Sequence, residues 1–328
     1  MLIRGINQML KESTNESFVM SPRIDFVFKL IFGDDKNKDL LIALLSAVLK
    51  MPKTAFEGIE IVNSELLREF QEDKKGILDV RARTQDGEQI NIEIQILPTN
   101  FMPERTLFYW AKMYTGQVNP GDTYNKLKKC ITINIVDFRC TPQEKIHSCY
   151  HLREMESGHQ LTEVLEVHFL ELPKLLDEKV AIDEDDPIVQ WMMFIDAKSK
   201  GVMKMLADKN KDIGKAFNIL EIISQDEHAR MVYEARQAEI RDKAMWLIEA
   251  EEKGMEKGME KGMEKGMEKG MEKGMEKGME KGMEKGMNQK AFEIAQNLLS
   301  MGIPSASIAK ATGLTEEQIE NLKKDNRE

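Results

Sequence analysis

The chain has 328 residues, a formal net charge of −10 and a hydrophobic share of 41%. That apolar content is enough for a buried core and excludes a wholly disordered chain. The longest apolar run, residues 40–49, falls far short of the ~20 residues a membrane-spanning helix needs, so no membrane partner is expected. Residues 1–150 carry 20 basic and 20 acidic side chains, whereas residues 151–251 carry 13 and 22. The acidic total therefore belongs to the middle of the chain, and the N-terminal part shows no strong basic footprint. The first ten residues do not read as a secretory signal. Cys130, Cys140 and Cys149 are odd in number and lack CxxC spacing, which fits a reducing cytoplasm better than a disulfide framework.

In chain order, Ser21-Pro22 reads as a helix start. Ile24, Val27, Phe28 and Ile31 follow with helical spacing, and Gly33 ends the segment. Residues 38–49 predict a second helix and 59–62 a short strand. Residues 77–83 and 89–96 alternate in polarity around Asp86-Gly87, a strong hairpin signal. Residues 103–117 return to helical spacing, and 130–138 form an apolar run suited to the centre of a sheet. Two more strands are expected near 148–155 and 164–172, followed by a helical region from 187 to 250.

The hairpin alternation assigns faces. Leu78, Val80 and Ala82 share one face with Ile90, Ile92, Ile94 and Ile96. Asp79, Arg81 and Arg83 share the other with Asn91, Glu93 and Gln95. A tight hairpin brings Asp79 close to Glu93. Two carboxylates on adjacent strands suit a hard divalent cation such as Mg²⁺, which activates water and neutralises charge on a phosphodiester. Gln95 points into the same space, where its amide can orient the water or contact the phosphate. The same spacing also fits an ordinary solvated hairpin face.

The element order, with Asp on the second strand and Glu-x-Gln on the third, resembles the PD-(D/E)xK nuclease core. More narrowly, the chain resembles the recombination-promoting nuclease or transposase family (YhgA-like). The matching stretches are DFVFKLIFG at 25–33, ILDVRA at 77–82, INIEIQI at 90–96, RTLFYWAKMYTGQVNPGDTY at 105–124 and LEVHFLELPKL at 165–175. The resemblance implies an α/β fold, a mixed sheet flanked by helices, and a metal-dependent DNA endonuclease acting in recombination or transposition. By it, Asp79 and Glu93 are metal ligands, and Gln95 stands where many such enzymes have lysine. Glutamine cannot supply lysine's charge, but this family commonly carries it. Asp25 matches an accessory acid that binds the metal through water, or is an acid favoured by the helix dipole. Lys29 is placed to meet a phosphate or to pair with Asp25 at i,i+4. Arg105 can clamp a phosphate. Tyr109, a further candidate for substrate contact, and Tyr114 read foremost as packing residues with polar tips.

Cys140, His147, Cys149 and His151 are metal-ligand types, but their spacing matches no standard zinc pattern, and a zinc site is not the expected reading. From 252 to 287 the sequence is Glu-Lys-Gly-Met repeated nine times, which accounts for nine of the 23 Met and nine of the 21 Gly. As a helix it turns about 40° beyond a full circle per unit, so no straight face stays apolar. Each glycine costs roughly 1 kcal/mol relative to alanine. The segment is expected to be a marginal helix or a flexible spacer, and an assembly element of a homo-oligomer. Beyond it, three short helices with Gly313 at a turn form a helix-turn-helix-like module. Its third helix opens with Glu316, Glu317 and Glu320, so protein contact or a packing role is expected over sequence-specific DNA binding.

The expected domains are a nuclease-like domain at 1–180, a helical extension at 181–251, the repeat at 252–287 and the C-terminal module at 288–328. The alternative function is a non-catalytic, DNA-associated assembly or regulatory protein that uses the repeat and C-terminal module to oligomerise. Deleting three repeat units is expected to change activity or solution mass, read by light scattering and a cleavage assay. Unchanged behaviour in both would rule out a spacing or assembly role.

Overall fold

The computed structural model describes residues 18–62 and 79–325. Helix α1 (Asp25–Phe32) and helix α2 (Lys38–Leu49) come first. α1 begins four residues after Ser21, because the Ile24 N–H donates to the Ser21 carbonyl and closes a turn ahead of it. Asp25 then occupies the first helical position. Strands β1 (Glu60–Val62), β2 (Val80–Arg83) and β3 (Gln89–Gln95) follow. Ile77 and Leu78, expected to open the second strand, lie outside the described residues. Gly87 takes φ 86° in the β2–β3 turn, a left-handed conformation that favours glycine. Helix α3 (Met102–Thr115) crosses to β4 (Cys130–Val136), and β5 (His147–Tyr150) and β6 (Leu165–Glu171) complete the sheet. β5 is shorter than expected. Beyond it the chain makes a turn in which Glu154 accepts from the Glu156 and Ser157 N–H groups.

The strand order is β1-β2-β3-β4-β6-β5. β2 runs antiparallel to its neighbours, β3, β4 and β6 are mutually parallel, and β5 is antiparallel to β6. The parallel centre has both faces covered, as parallel strands require. Ile90, Ile92, Ile94, Ile131, Ile133 and Ile135 pack on one side in a core with Phe28, Leu44 and Trp191. Helix α3 covers the other side: Thr106 Oγ1 donates to Asn134 Oδ1 at 3.1 Å, and Trp110 Nε1 donates to the Cys130 carbonyl at 2.9 Å. Asn91, Glu93, Thr132 and Asn134 are therefore buried polar residues. The solvated hairpin face is excluded. Helices α4 (Pro187–Asp196), α5 (Lys200–Lys209) and α6 (Lys211–Gln225) add Trp191, Phe194, Leu206 and Leu220 to the same core.

The described residues fall into two compact units, within Met1–Met245 and Trp246–Glu328. Helix α7 (Glu227–Ser300) runs through the repeat. Every residue from 252 to 287 is exposed, as the drifting stripes require. In the second unit, α8 (Ser305–Thr312) and α9 (Glu316–Asp325) bury Ile308, Leu314 and Ile319 with Ala295. Gly313 turns between them at φ 75°. Thr315 Oγ1 accepts from the Gln318 N–H while Gln318 Oε1 accepts from the Thr315 N–H, a reciprocal cap that fixes the start of α9. Among the described residues, no helix is long and apolar enough to cross a membrane.

A buried ion pair holds the segment after β4 against the end of β6. Lys174 Nζ donates to Glu171 Oε1 at 2.6 Å and to the Gln143 carbonyl at 2.6 Å. The other Glu171 oxygen accepts from the Cys140 N–H at 2.9 Å. Both side chains are almost fully buried. Removing only the cation leaves an uncompensated charge, so Lys174→Met is expected to lower stability by about 3–5 kcal/mol in urea unfolding. Adding Glu171→Gln to that variant should recover part of the loss.

Candidate active site

The hairpin register brings two acids together. Val80 pairs with Ile92, so the same antiparallel register sets Asp79, one residue earlier, opposite Glu93. Asp79 Oδ2 accepts from the Ile94 N–H at 2.7 Å, which fixes its carboxylate at the mouth of β3. Asp25, from the first turn of α1, opens into the same cleft, as does Gln95. Gln95 Nε2 donates to the Leu97 carbonyl at 3.1 Å, and this leaves Oε1 as its acceptor. Four of the sequence candidates, Asp25, Asp79, Glu93 and Gln95, thus line one cleft, and Arg105 joins them from α3.

The electrostatics are strained in one direction. Glu93 is 4% exposed. Among the described residues, neither of its carboxylate oxygens has a hydrogen-bond partner. Its nearest cation is Arg105, with Nη2 at 3.8 Å. Burial raises its pKa, and Arg105 and the neighbouring Asn91 side chain offset only part of this. For Asp79, burial together with the charges of Glu93 and Asp25 outweighs the Ile94 N–H and Arg105, and its carboxyl is pushed up to about 7. Orphaned acceptors on a buried carboxylate, facing two further carboxylates, are what an oxygen-liganded divalent cation satisfies. These residues fit such an ion: Glu93 and Asp79 as direct ligands, with Asp25 beside them.

The cleft also holds cations the sequence did not single out. Arg23 lines it, tied to Asp137 and, at 3.3 Å, to Asp196. Arg236 and Lys243 project from α7. Arg236 pairs with Asp25 at 3.1 Å and with Glu239 at 2.6 Å. The signal was faint but present, because Arg236, Glu239, Ile240 and Lys243 repeat at one-face helical spacing. Two candidates fall elsewhere. Lys29 is exposed and does not line the cleft. Tyr109 packs beside Met113 and Cys130, under the Arg105 guanidinium at 5.5 Å.

Residues 22–250 match the family model described as PD-(D/E)XK nuclease family transposase. Residues 288–324 match that of the Rpn/YhgA-like nuclease family, C-terminal HTH domain. No curated protein and no solved structure matches the chain.

The raised carboxyl of Asp79 has a consequence for stability. Its ordinary value is 3.8, so the unfolded chain releases this proton at lower pH than the folded one does. The folded state is therefore penalised progressively as pH rises from about 4 to about 7. Chelator-treated protein is expected to be less stable at about pH 8 than at about pH 5. Asp79→Asn should stabilise it at the higher pH by on the order of 2 kcal/mol, a value discounted for partial solvent exposure. Thermal unfolding at the two pH values, with and without a divalent cation, checks both the sign and the rescue.

Proposed function

The chain belongs to the PD-(D/E)XK nuclease family transposases, and from that premise we propose that its cleft is the active site of a metal-dependent DNA endonuclease serving recombination or transposition. The carrying observation is Glu93, a buried carboxylate whose oxygens lack hydrogen-bond partners among the described residues, in register with Asp79. That pair calls for a cation in a fold whose family cleaves phosphodiesters. Mg²⁺ suits the all-oxygen donor set. When bound, a divalent ion lowers the pKa of a coordinated water and neutralises phosphate charge.

The chain's own residues supply the rest. Gln95, with its amide N–H engaged by Leu97, offers Oε1 to accept a hydrogen from the attacking water and so orient it. It carries no charge, and the cationic work of the missing lysine passes to neighbours. Arg105 and Lys243 flank the carboxylates and offer donors to the phosphate oxygens. Arg236 needs only to exchange its Asp25 partner for phosphate to do the same. Asp25, released from Arg236, becomes free to hold water near the ligand pair.

The C-terminal module is proposed to bind protein or to act as a cap. The first turn of α9 carries Glu316 and Glu317, and these repel a phosphate backbone where a recognition helix would meet it.

Nicking of supercoiled plasmid with added Mg²⁺ tests the assignment. Asp79→Ala and Glu93→Ala should each reduce the rate by at least the ~100-fold that disturbing a metal site's outer partners can cost. Equal cleavage by wild type and both variants would overturn the site. Tight DNA binding with no metal-dependent nicking by wild type would favour a non-catalytic role.

A further inference from the structure

We propose that the β5–β6 edge of the sheet carries a second metal site, for zinc, made by Cys149, His151, Glu166 and His168. These residues lie away from the nuclease cleft. β4 stands between β6 and the Glu93 strand. His168 also shares a rung with Ile133, whereas Glu93 shares one with Asn134, so the two sites are on opposite faces.

The strand register builds the site. Cys149 pairs directly with His168, and the same register carried two residues further places His151 across from Glu166. The ligand atoms of Cys149, Glu166 and His168 all lie within 4.8 Å of one another. Cys149 Sγ is 3.4 Å from His151 Nε2 and 3.8 Å from His168 Nε2. Tetrahedral zinc with ordinary Zn–S and Zn–N bonds separates sulfur from nitrogen by about 3.6 Å, between those two distances. Glu166 Oε1 lies 2.7 Å from His168 Nε2 and needs to retreat by about half an ångström to join the same shell.

Both imidazoles are oriented for the task. His151 Nδ1 lies 3.3 Å from the Leu165 carbonyl, and His168 Nδ1 lies 2.8 Å from His147 Nε2. Each ring therefore engages Nδ1 outward and turns Nε2 toward the thiol, the arrangement in which an outer partner fixes a ligand's tautomer. Lys129 holds the other Glu166 oxygen at 2.6 Å. Charge closes as well: one thiolate and one carboxylate neutralise the dication, with two neutral imidazoles completing four ligands. The Cys149 thiol proton leaves to solvent on binding. The metal-ligand types gathered in sequence, Cys140, His147, Cys149 and His151, match no standard zinc spacing. Cys140 instead gives its N–H to Glu171, and His147 stands behind His168 as its partner.

The test uses the untagged full-length chain with Asp79→Ala and Glu93→Ala in place, so that the acidic cleft does not compete. After exposure to Zn²⁺ and dialysis, metal analysis should give one zinc per chain. Co²⁺ in its place should show a thiolate charge-transfer band and the strong visible absorption of a tetrahedral centre. Cys149→Ser and His151→Ala, both at the open edge, should keep the circular dichroism of the parent. Cys149→Ser should abolish the charge-transfer band, and each should weaken zinc binding at least about tenfold. Failure of the parent to retain zinc, absence of the band in it, or full retention of zinc by Cys149→Ser would each overturn the proposal.

Discussion

A carboxylate in the middle of a strand covered on both faces is the constraint on which this fold turns. Glu93 is boxed in by the isoleucine core behind its strand and by α3 in front. A charge so placed is costly unless something compensates it. The protein does not compensate it fully from within, since Arg105 stands at 3.8 Å and the two oxygens lack hydrogen bonds among the described residues. Asp79 and Asp25 add negative charge to the same space. The folded chain thus holds a deficit of positive charge at one point, and a proton or an external cation must make it good. The feature that weakens the empty fold is thus the same one that draws a proton or a cation to it.

That deficit explains the placement of the surrounding cations. Arg23 is drawn away by Asp137 and Asp196, and Arg236 is shared between Asp25 and Glu239. Arg23 and Arg236 are already partnered, and Arg105 reaches Glu93 only at 3.8 Å, so none neutralises Glu93 completely. Were one to do so with good geometry, the site would be filled by the protein's own charge. The arrangement lines the cleft with cations while leaving the carboxylate pair uncompensated. Arg236 stands at the pivot: it comes from α7, more than 200 residues along the chain from Asp25, and ties the end of the first compact unit to the acidic cleft.

The hairpin was legible in the sequence because its information is local. Period-two alternation named both faces, and Asp86-Gly87 fixed the register that sets Asp79 opposite Glu93. The limits of that reading have physical causes. Alternation distinguishes two faces but not what covers them, so the burial of Asn91 and Glu93 waited on α3. Helical spacing placed Lys29 one turn from Asp25, but the Asp25–Arg236 pair is a contact no local period encodes. Ser21-Pro22 has the chemistry of a helix start, but a backbone turn there moved the start to Asp25. The same limit applies at the other sheet edge. Cys149 and His151 are close in sequence, whereas Glu166 and His168 reach them only through the β5–β6 register.

The repeat follows a different logic from the rest of the chain. In the sheet domain, propensity is overridden by burial: Glu93 and Lys174 sit where isolated preferences would not put them. Between 252 and 287 every residue is exposed, and a Cβ added at any repeat glycine would meet nothing within 4 Å. No tertiary packing offsets the roughly 1 kcal/mol per glycine that a helix pays there. What remains in its favour is local, chiefly Lys–Glu attraction at i,i+3, set against like charges at i,i+4. Replacing one glycine by alanine should therefore strengthen the helix without any steric cost. A segment with this balance is one whose helicity responds strongly to substitution and ionic strength.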